Sequence, residues 1–487
     1  MFPSARPPAR TVQQGQALPL VLVFLVVLCV GLLVTFNTEQ VVSKKVELTH
    51  AADAAAYSIA IEQARARNLA AYLNRARVAN EVTIAQMVSL NSWLTMVHST
   101  SEHFEKLMKV VGILTSWLGI GEVLLQVGQV MDQLNNVLTQ VRRALVIPGF
   151  NGAITGLDGM DFIYAGAAQA ALSDALSITN ISLMANKVVQ DNAPDASLTL
   201  GGRAVLVKNL AAANDQLQLY TPGRRNGASG RTNEGGERYR NVVMASRDKF
   251  TRERKSGFLF LKSNGGTDLV DYDRWAAVDT FQFEFGVIKF PIGWGGTQAV
   301  EGRRPSFFPG INGNRGWKSP YDNKTYKAYN GINSRRLAGK MVDGDPAGTE
   351  MGFKRNEAYF TGYRHGLSPA YYDVRSEYSR TPDGTRAGPI YTVEVGNDIG
   401  KVHTSTMLGM GSDDMRLQDE ARKGQIRAVA SAQVYFNRPH KSYDLFRRSV
   451  WGKQDDDKFE MGSLFAPYWQ ARLVQTPDQD RLALMVP

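Results

Sequence analysis

The chain has 487 residues, enough for two to four folding units, and its balance of 44% hydrophobic to 21% charged residues excludes wholesale disorder. Its one cysteine, Cys29, lies inside an apolar run, so the remainder can form neither an internal disulfide nor a thiolate metal site. The formal charge of +10 suits an anionic surface or polymer. Part of it is concentrated between Arg224 and Lys255, where ten basic residues face Glu234, Glu237, Asp248 and Glu253; this stretch reads as a solvated basic loop.

A short basic leader (1–16) carries Arg6 and Arg10. From Ala17 to Phe36 there is no charge, and a run of this length crosses a bilayer core as a helix, whose backbone is satisfied within the segment. A signal peptide would have an apolar region of only about 7–15 residues and a small-x-small site, which Asn37-Thr38-Glu39-Gln40 does not supply. The expectation is an uncleaved single-pass anchor over 17–36. Arg6 and Arg10 against Lys44 and Lys45 leave the positive-inside rule tied. A leader this short beside so long a remainder fits an N-terminus inside and the bulk of the chain outside.

Next comes a helical stalk, 37–220. Leu48, Ala52, Ala55, Ile59, Glu62, Ala66, Leu69, Leu73, Ala76, Asn80, Thr83, Met87, Leu90, Leu94 and Val97 alternate in steps of four and three, an alanine-rich seam for close helix approach. No proline interrupts between Pro19 and Pro148. A second, wholly apolar seam runs through Ile113, Trp117, Ile120, Leu124, Val127, Met131, Leu134, Leu138, Val141 and Leu145. Gly119 and Gly121 make a turn plausible near its start, and Pro148-Gly149 marks its end. Further helical stretches fall near 160–190 and 204–219. The economical arrangement is an antiparallel bundle, with self-association through the seams as the alternative.

Beyond 221 the texture turns to Gly, Asn, Arg and Tyr, with alternating strand patterns at 280–287, 391–395 and 427–436. These half-buried patterns belong to antiparallel sheet with one face on a core. A Gly/Asn/Arg-rich insertion spans about 303–362. The fold class expected is α+β: a transmembrane helix continuing into a coiled-coil or bundle stalk, followed by a β-rich distal domain over 221–487.

Gly15-Gln16-Ala17-Leu18 opening the apolar helix, and Leu48-Thr49-His50-Ala51-Ala52-Asp53-Ala54-Ala55-Ala56 beyond it, resemble the TadE/TadG-like pilus-assembly proteins of the Flp (tight adherence) system. The closing segments 430–439 and 464–473 resemble the ends of long TadG-like proteins. The resemblance implies a single-pass protein of the bacterial inner membrane, N-terminus cytoplasmic, with its bulk periplasmic or surface-exposed, that builds, anchors or decorates adhesive pili. Gly15 is the processing point it implies. Related pilin-like proteins carry Glu at the fifth position after the cut, and here that position is Leu20. Retention of the full chain is therefore expected.

Catalytic and metal chemistry find little footing. His98 and His103 are five apart rather than the four of a helical zinc face, and read as polar bundle residues. Asp455-Asp456-Asp457 lacks the spacing and glycine of a calcium loop. Asp195-Ala196-Ser197-Leu198-Thr199 departs from the metal motif of von Willebrand-type domains. Neither Gly-x-Ser-x-Gly nor a phosphate-cradling glycine loop occurs. His365, His403 and His440 define no triad from sequence. Trp469 reads as core, and Asp53 as either a polar interhelical contact or a solvent-facing residue. No catalytic, cofactor or metal residue is assigned and no nucleic-acid partner is expected. The function expected is a non-enzymatic component of pilus assembly acting on other pilus proteins. A membrane-tethered envelope hydrolase or anionic-polymer binder is the alternative.

Overall fold

The computed structural model describes residues 17–220, 234–252, 254–270, 274–285, 288–300, 357–367, 370–379, 388–398, 424–437 and 462–485. Its spine is α1 (Ala17–Leu114), an unbroken helix of 98 residues, on the order of 150 Å long at about 1.5 Å per residue. With no proline after its first turn, nothing removes a ladder hydrogen bond. The apolar window at its start is wholly uncovered by the rest of the chain. Within and just after it, Thr35 and Thr38 donate to the carbonyls four residues back, at 2.9 Å each. These hydroxyls therefore enter hydrocarbon already satisfied.

Burial begins at Leu48. From there adjacent pairs such as 51/52, 55/56, 59/60 and 70/71 are buried turn after turn, so α1 is covered on a face too wide for a single helical partner. Part of that cover is helical. At Ser116–Leu118 a 3₁₀ turn, closed by Gly119 at φ 73°, reverses the chain into α2 (Gly121–Val141). A π-helical turn, Arg142–Val146, then leads straight into α3 (Ile147–Leu176). Pro148 does not end the helix as expected. It sits in the first turn of α3, where the missing N–H is tolerated, and the wider π turn before it makes room for the ring. Ser177 caps α4 (Ile178–Asn192), and Thr199 caps α5 (Leu200–Asp215) through Gly202 N–H at 2.9 Å.

The rest of the cover is sheet. One sheet orders β1 (Ser197–Leu198), β9 (Ile390–Asp398), β10 (Gln425–Phe436) and β11 (Trp469–Val474), all antiparallel. A second orders β3 (Arg254–Phe258), β4 (Leu261–Val270), β5 (Arg274–Phe285), β6 (Ile288–Val300) and β7 (Glu357–Phe360), with only the last pair parallel. Between them β2 (Leu217–Tyr220) pairs with β8 (Tyr371–Val374). Two further helices are α6 (Glu234–Ser246) and a C-terminal α7 (Asp478–Met485), beside single helical turns at Lys249–Arg252 and Ser376–Ser379.

The sequence reading sets these strands on a head beyond the stalk; the structure lays them along it. The first sheet packs on the Leu48–Ala70 part of α1 with α3, α4 and α5, and the second on the Val78–Val88 part with Ile154 and Tyr239. Lys45 donates to the Arg427 carbonyl, so β10 begins a few turns past the apolar window. Each core draws residues from both sides of position 220. The strand at 391–395 also departs from the one-face pattern. Tyr391, Val393 and Val395 are buried against α1, while Thr392 and Glu394 are buried on the opposite face by α5 and α7: Asn209 accepts from Thr392 N–H at 2.9 Å, and Thr392 Oγ1 donates to Asp480 at 2.7 Å. Around 280–287 the expected strand is β5 up to Phe285.

The second sheet approaches α1 backbone to backbone. The helix presents small polar residues here, and β6 meets them with Gly293 and Gly295, where an added Cβ would run into Thr100 and the Ser92 carbonyl. Ser89 lies 2.6 Å from Thr267 Oγ1, Asn91 donates to Thr297 at 2.9 Å, and Ser92 donates to Asp279 at 2.6 Å. Asp279 is in turn held by Arg254 at 2.6 and 3.0 Å. Burying these polar groups is tolerable because they satisfy one another.

Candidate functional site

Two places on the described chain have unusual chemistry. The first is the outer end of the α1–α2 hairpin. Helix α2 lies against α1 through Gly121, Gly128 and Asn135, its only buried residues, spaced seven apart. Asn135 donates to Glu105 at 3.0 Å, Thr139 meets His98 Nε2 at 2.7 Å, and Arg142 donates to Thr95 at 3.3 Å. His103 Nδ1 sits 2.6 Å from the Ser99 carbonyl. Burial pushes both imidazoles below their usual range, with the Arg142 charge adding to the effect at His98, so they are neutral polar contacts of the hairpin. Beside them an open apolar groove of about 820 Å³ lies between α1 and the second sheet, lined by Trp93, Met96, Phe104, Met131 and Phe281.

The predicted seam is divided by this geometry. Ile113 closes α1 and Trp117 lies in the turn, so neither continues a seam with α2. Leu124 and Met131 turn partly inward. Val127, Leu134, Leu138, Val141 and, in the π turn, Leu145 are exposed, as is Ile120 at the cap. The apolar face of α2 points away from α1.

The second place is a knot of carboxylates where α1, α3 and the segment before β8 meet. Glu81 is buried, and its Oε2 accepts from Trp275 Nε1 at 2.8 Å and Tyr363 OH at 2.9 Å. Its Oε1 has no partner among the described residues. Asp161 accepts from Asn80 at 2.8 Å. Asp158 accepts the backbone N–H groups of Arg364 and His365 at 3.3 Å each, and meets His365 Nδ1 at 2.6 Å. Arg77 lies over the Tyr239 ring at 5.2 Å. Burial, with the Asp161 and Asp158 charges adding, pushes Glu81 well above the usual carboxylate range despite the two donors. Burial likewise pushes Asp161 up to about 7. The knot ties α1, α3, β5 and the segment before β8 together. Sequence reasoning missed it, because acids eighty residues apart carry no spacing signal.

Trp469 is core, packed on Phe436 at 5.3 Å and under Arg67 at 5.8 Å. Asp53 is half-buried on α1. Much of the described part of the basic stretch is internal rather than solvated. Arg240 donates to the Leu269 carbonyl at 2.9 Å, Arg247 to the Met244 and Thr267 carbonyls, and Arg254 holds Asp279. Gly15, the 303–356 part of the insertion, Asp455–Asp457, His403 and His440 lie outside the described residues.

The apolar window and the first buried turns of α1 are the part that is similar to known proteins. Residues 15–60 match the Tad family, Flp pilus-assembly TadE/G-like. That TadE/G-like segment covers the whole apolar window and continues to Ala60, so it includes both the transmembrane helix and the start of the face that receives the first sheet. The closing strands β10 and β11 pair with each other, Phe436 opposite Trp469. Searches of curated proteins and of solved structures return no match.

Proposed function

We propose that the chain is a non-enzymatic scaffold of Flp-type pilus assembly, held in the bacterial inner membrane by residues 17–36 with its N-terminus cytoplasmic. The observation that carries this reading is the TadE/G-like match over 15–60, which spans the anchor and the start of the core. Past the anchor, α1 carries both sheets and ends in a hairpin with an uncovered apolar face, the arrangement of a part that docks other proteins. With Leu20 at the fifth position after Gly15, the chain keeps its leader and stays in the membrane.

Deleting the gene should remove surface pili, and blots of sheared, inner-membrane and outer-membrane fractions should find full-length protein in the inner membrane alone. Undiminished piliation in the deletion strain would sink the reading. A shortened form in sheared pili would make it a minor pilin and show that Leu20 permits processing.

A further inference from the structure

Helix α2 has two faces of opposite character. Small and polar residues at intervals of seven meet α1, while Val123, Val127, Val130, Leu134, Val137 and Val141 form an outward stripe in steps of four and three, each 39–58% exposed. We propose that this stripe is the seam through which the chain pairs with a second copy of itself, α2 beside α2 and parallel.

Charge argues for an identical partner. Copies carrying +10 repel over most of their surface, yet the outward half of α2 between Val123 and Val141 bears no charged residue. Glu122, Asp132 and Arg142 project elsewhere around the helix, and the flank of the stripe is Gln126, Gln133 and Gln140, again seven apart. An anionic partner finds nothing complementary there, whereas a neutral face fits its own copy.

Orientation argues the same way, resting on the anchored reading above. Two copies held by the same span rise from the membrane in one direction and to one height. The partners of α2 on α1 run from His98 to Gly112, which sets the stripe about 90–115 Å past Phe36 at about 1.5 Å per residue. A two-fold axis along the membrane normal then brings the stripe onto itself, as an isologous contact requires. Its exposed side chains offer on the order of 500 Å² a copy, against roughly 800 Å² for a standard interface, and confinement to one membrane raises the effective concentration. Valine at every position of one seam register, Val123, Val130 and Val137, with Leu134 in the other, fits a two-chain pairing.

The test uses the full chain in its membrane, in a C29S background, with single cysteines V130C and L134C on the stripe and Q129C off it. Oxidation should give a species of twice the mass at V130C and L134C, at least five-fold more than at Q129C. Equal or absent cross-linking, or cross-linking to a different protein instead, overturns the proposal. Light scattering on detergent-solubilised wild type should give two copies, and V130D/L134D one copy with unchanged helical circular dichroism. A monomeric wild type, or a double variant that still associates, overturns it as well. None of these readouts depends on the piliation of the deletion strain, so the two proposals fail separately.

Discussion

Glu81 and Asp161 show how a few residues tie the fold to pH. Both carboxyls are raised by burial, Asp161 to about 7, so the folded chain binds protons that the unfolded chain has released. The stabilisation is complete below the ordinary carboxylate range near 4 and is lost as pH rises toward 7. His98 and His103, held below their usual range, contribute with the opposite sign in the same window, so the measurement is a difference: the stability that wild type holds over D161N should shrink by on the order of 2 kcal/mol between about pH 4.5 and 7.5. A difference that grows with pH would contradict the raised value of Asp161. None of this was legible in the sequence, because the burial of Glu81 and its nearness to Asp158 and Asp161 arise only when tertiary structure brings α3, Trp275 and Tyr363 to α1. His98 and His103, by contrast, were legible as polar bundle residues: His98 meets Thr139 of α2, and His103 the Ser99 carbonyl one turn back on its own helix.

At the scale of elements, the heptad reading of α1 holds for its first turns and then slides off. Leu48, Ala52, Ala55, Ile59 and Ala66 are buried, but Leu69, Thr83 and Leu90 are exposed. A straight helix has 3.6 residues per turn, so a strict seven-residue repeat drifts by about 20° per heptad, and after five or six heptads it has left the buried face. There the true contact is polar and reads poorly as a seam: Ser89, Ser92 and Thr95 against the glycines of β6. G295V should therefore be severe, costing about 3 kcal/mol or more in thermal unfolding, because the clash is with helix backbone. G149A in α3, where a Cβ meets nothing, should be neutral or stabilise by up to about 1 kcal/mol. The strands at 391–395 and 428–436 were legible from their alternation. What hid was the second cover on Thr392 and Glu394, supplied by α5 and α7, since polar side chains satisfied by Asn209, Asp480 and Thr199 look solvent-facing in sequence.

The whole molecule is threaded on one helix, and its cores are stitched from distant parts of the chain. Asn68 gives and receives a hydrogen bond at Trp469, both 2.9 Å, and Asn74 donates to the Leu464 carbonyl at 2.8 Å. Residues 37–220 alone would leave Ala52, Ile59, Ile84 and Val88 without their sheets. That fragment should be cleaved rapidly by trypsin at Arg67 and Arg77, sites that the full chain buries. Equal resistance of fragment and full chain would show that the helices stand without the strands. The anchor and the α+β class were legible because each rests on local pattern; the wrapping was not, because it depends on contacts spanning up to four hundred residues.

The unbroken course of α1 also makes angle and height a single variable. No turn or glycine interrupts the helix between Phe36 and Leu48, so each residue inserted there lifts everything above by about 1.5 Å and swings it by about 100°. Seven residues nearly restore the compass bearing while adding about 10 Å of reach. Two residues point the hairpin almost backwards. The short bridge between bilayer and first sheet thus acts as an indexing collar, setting which way the far end of the molecule looks relative to the face its span shows to neighbouring spans.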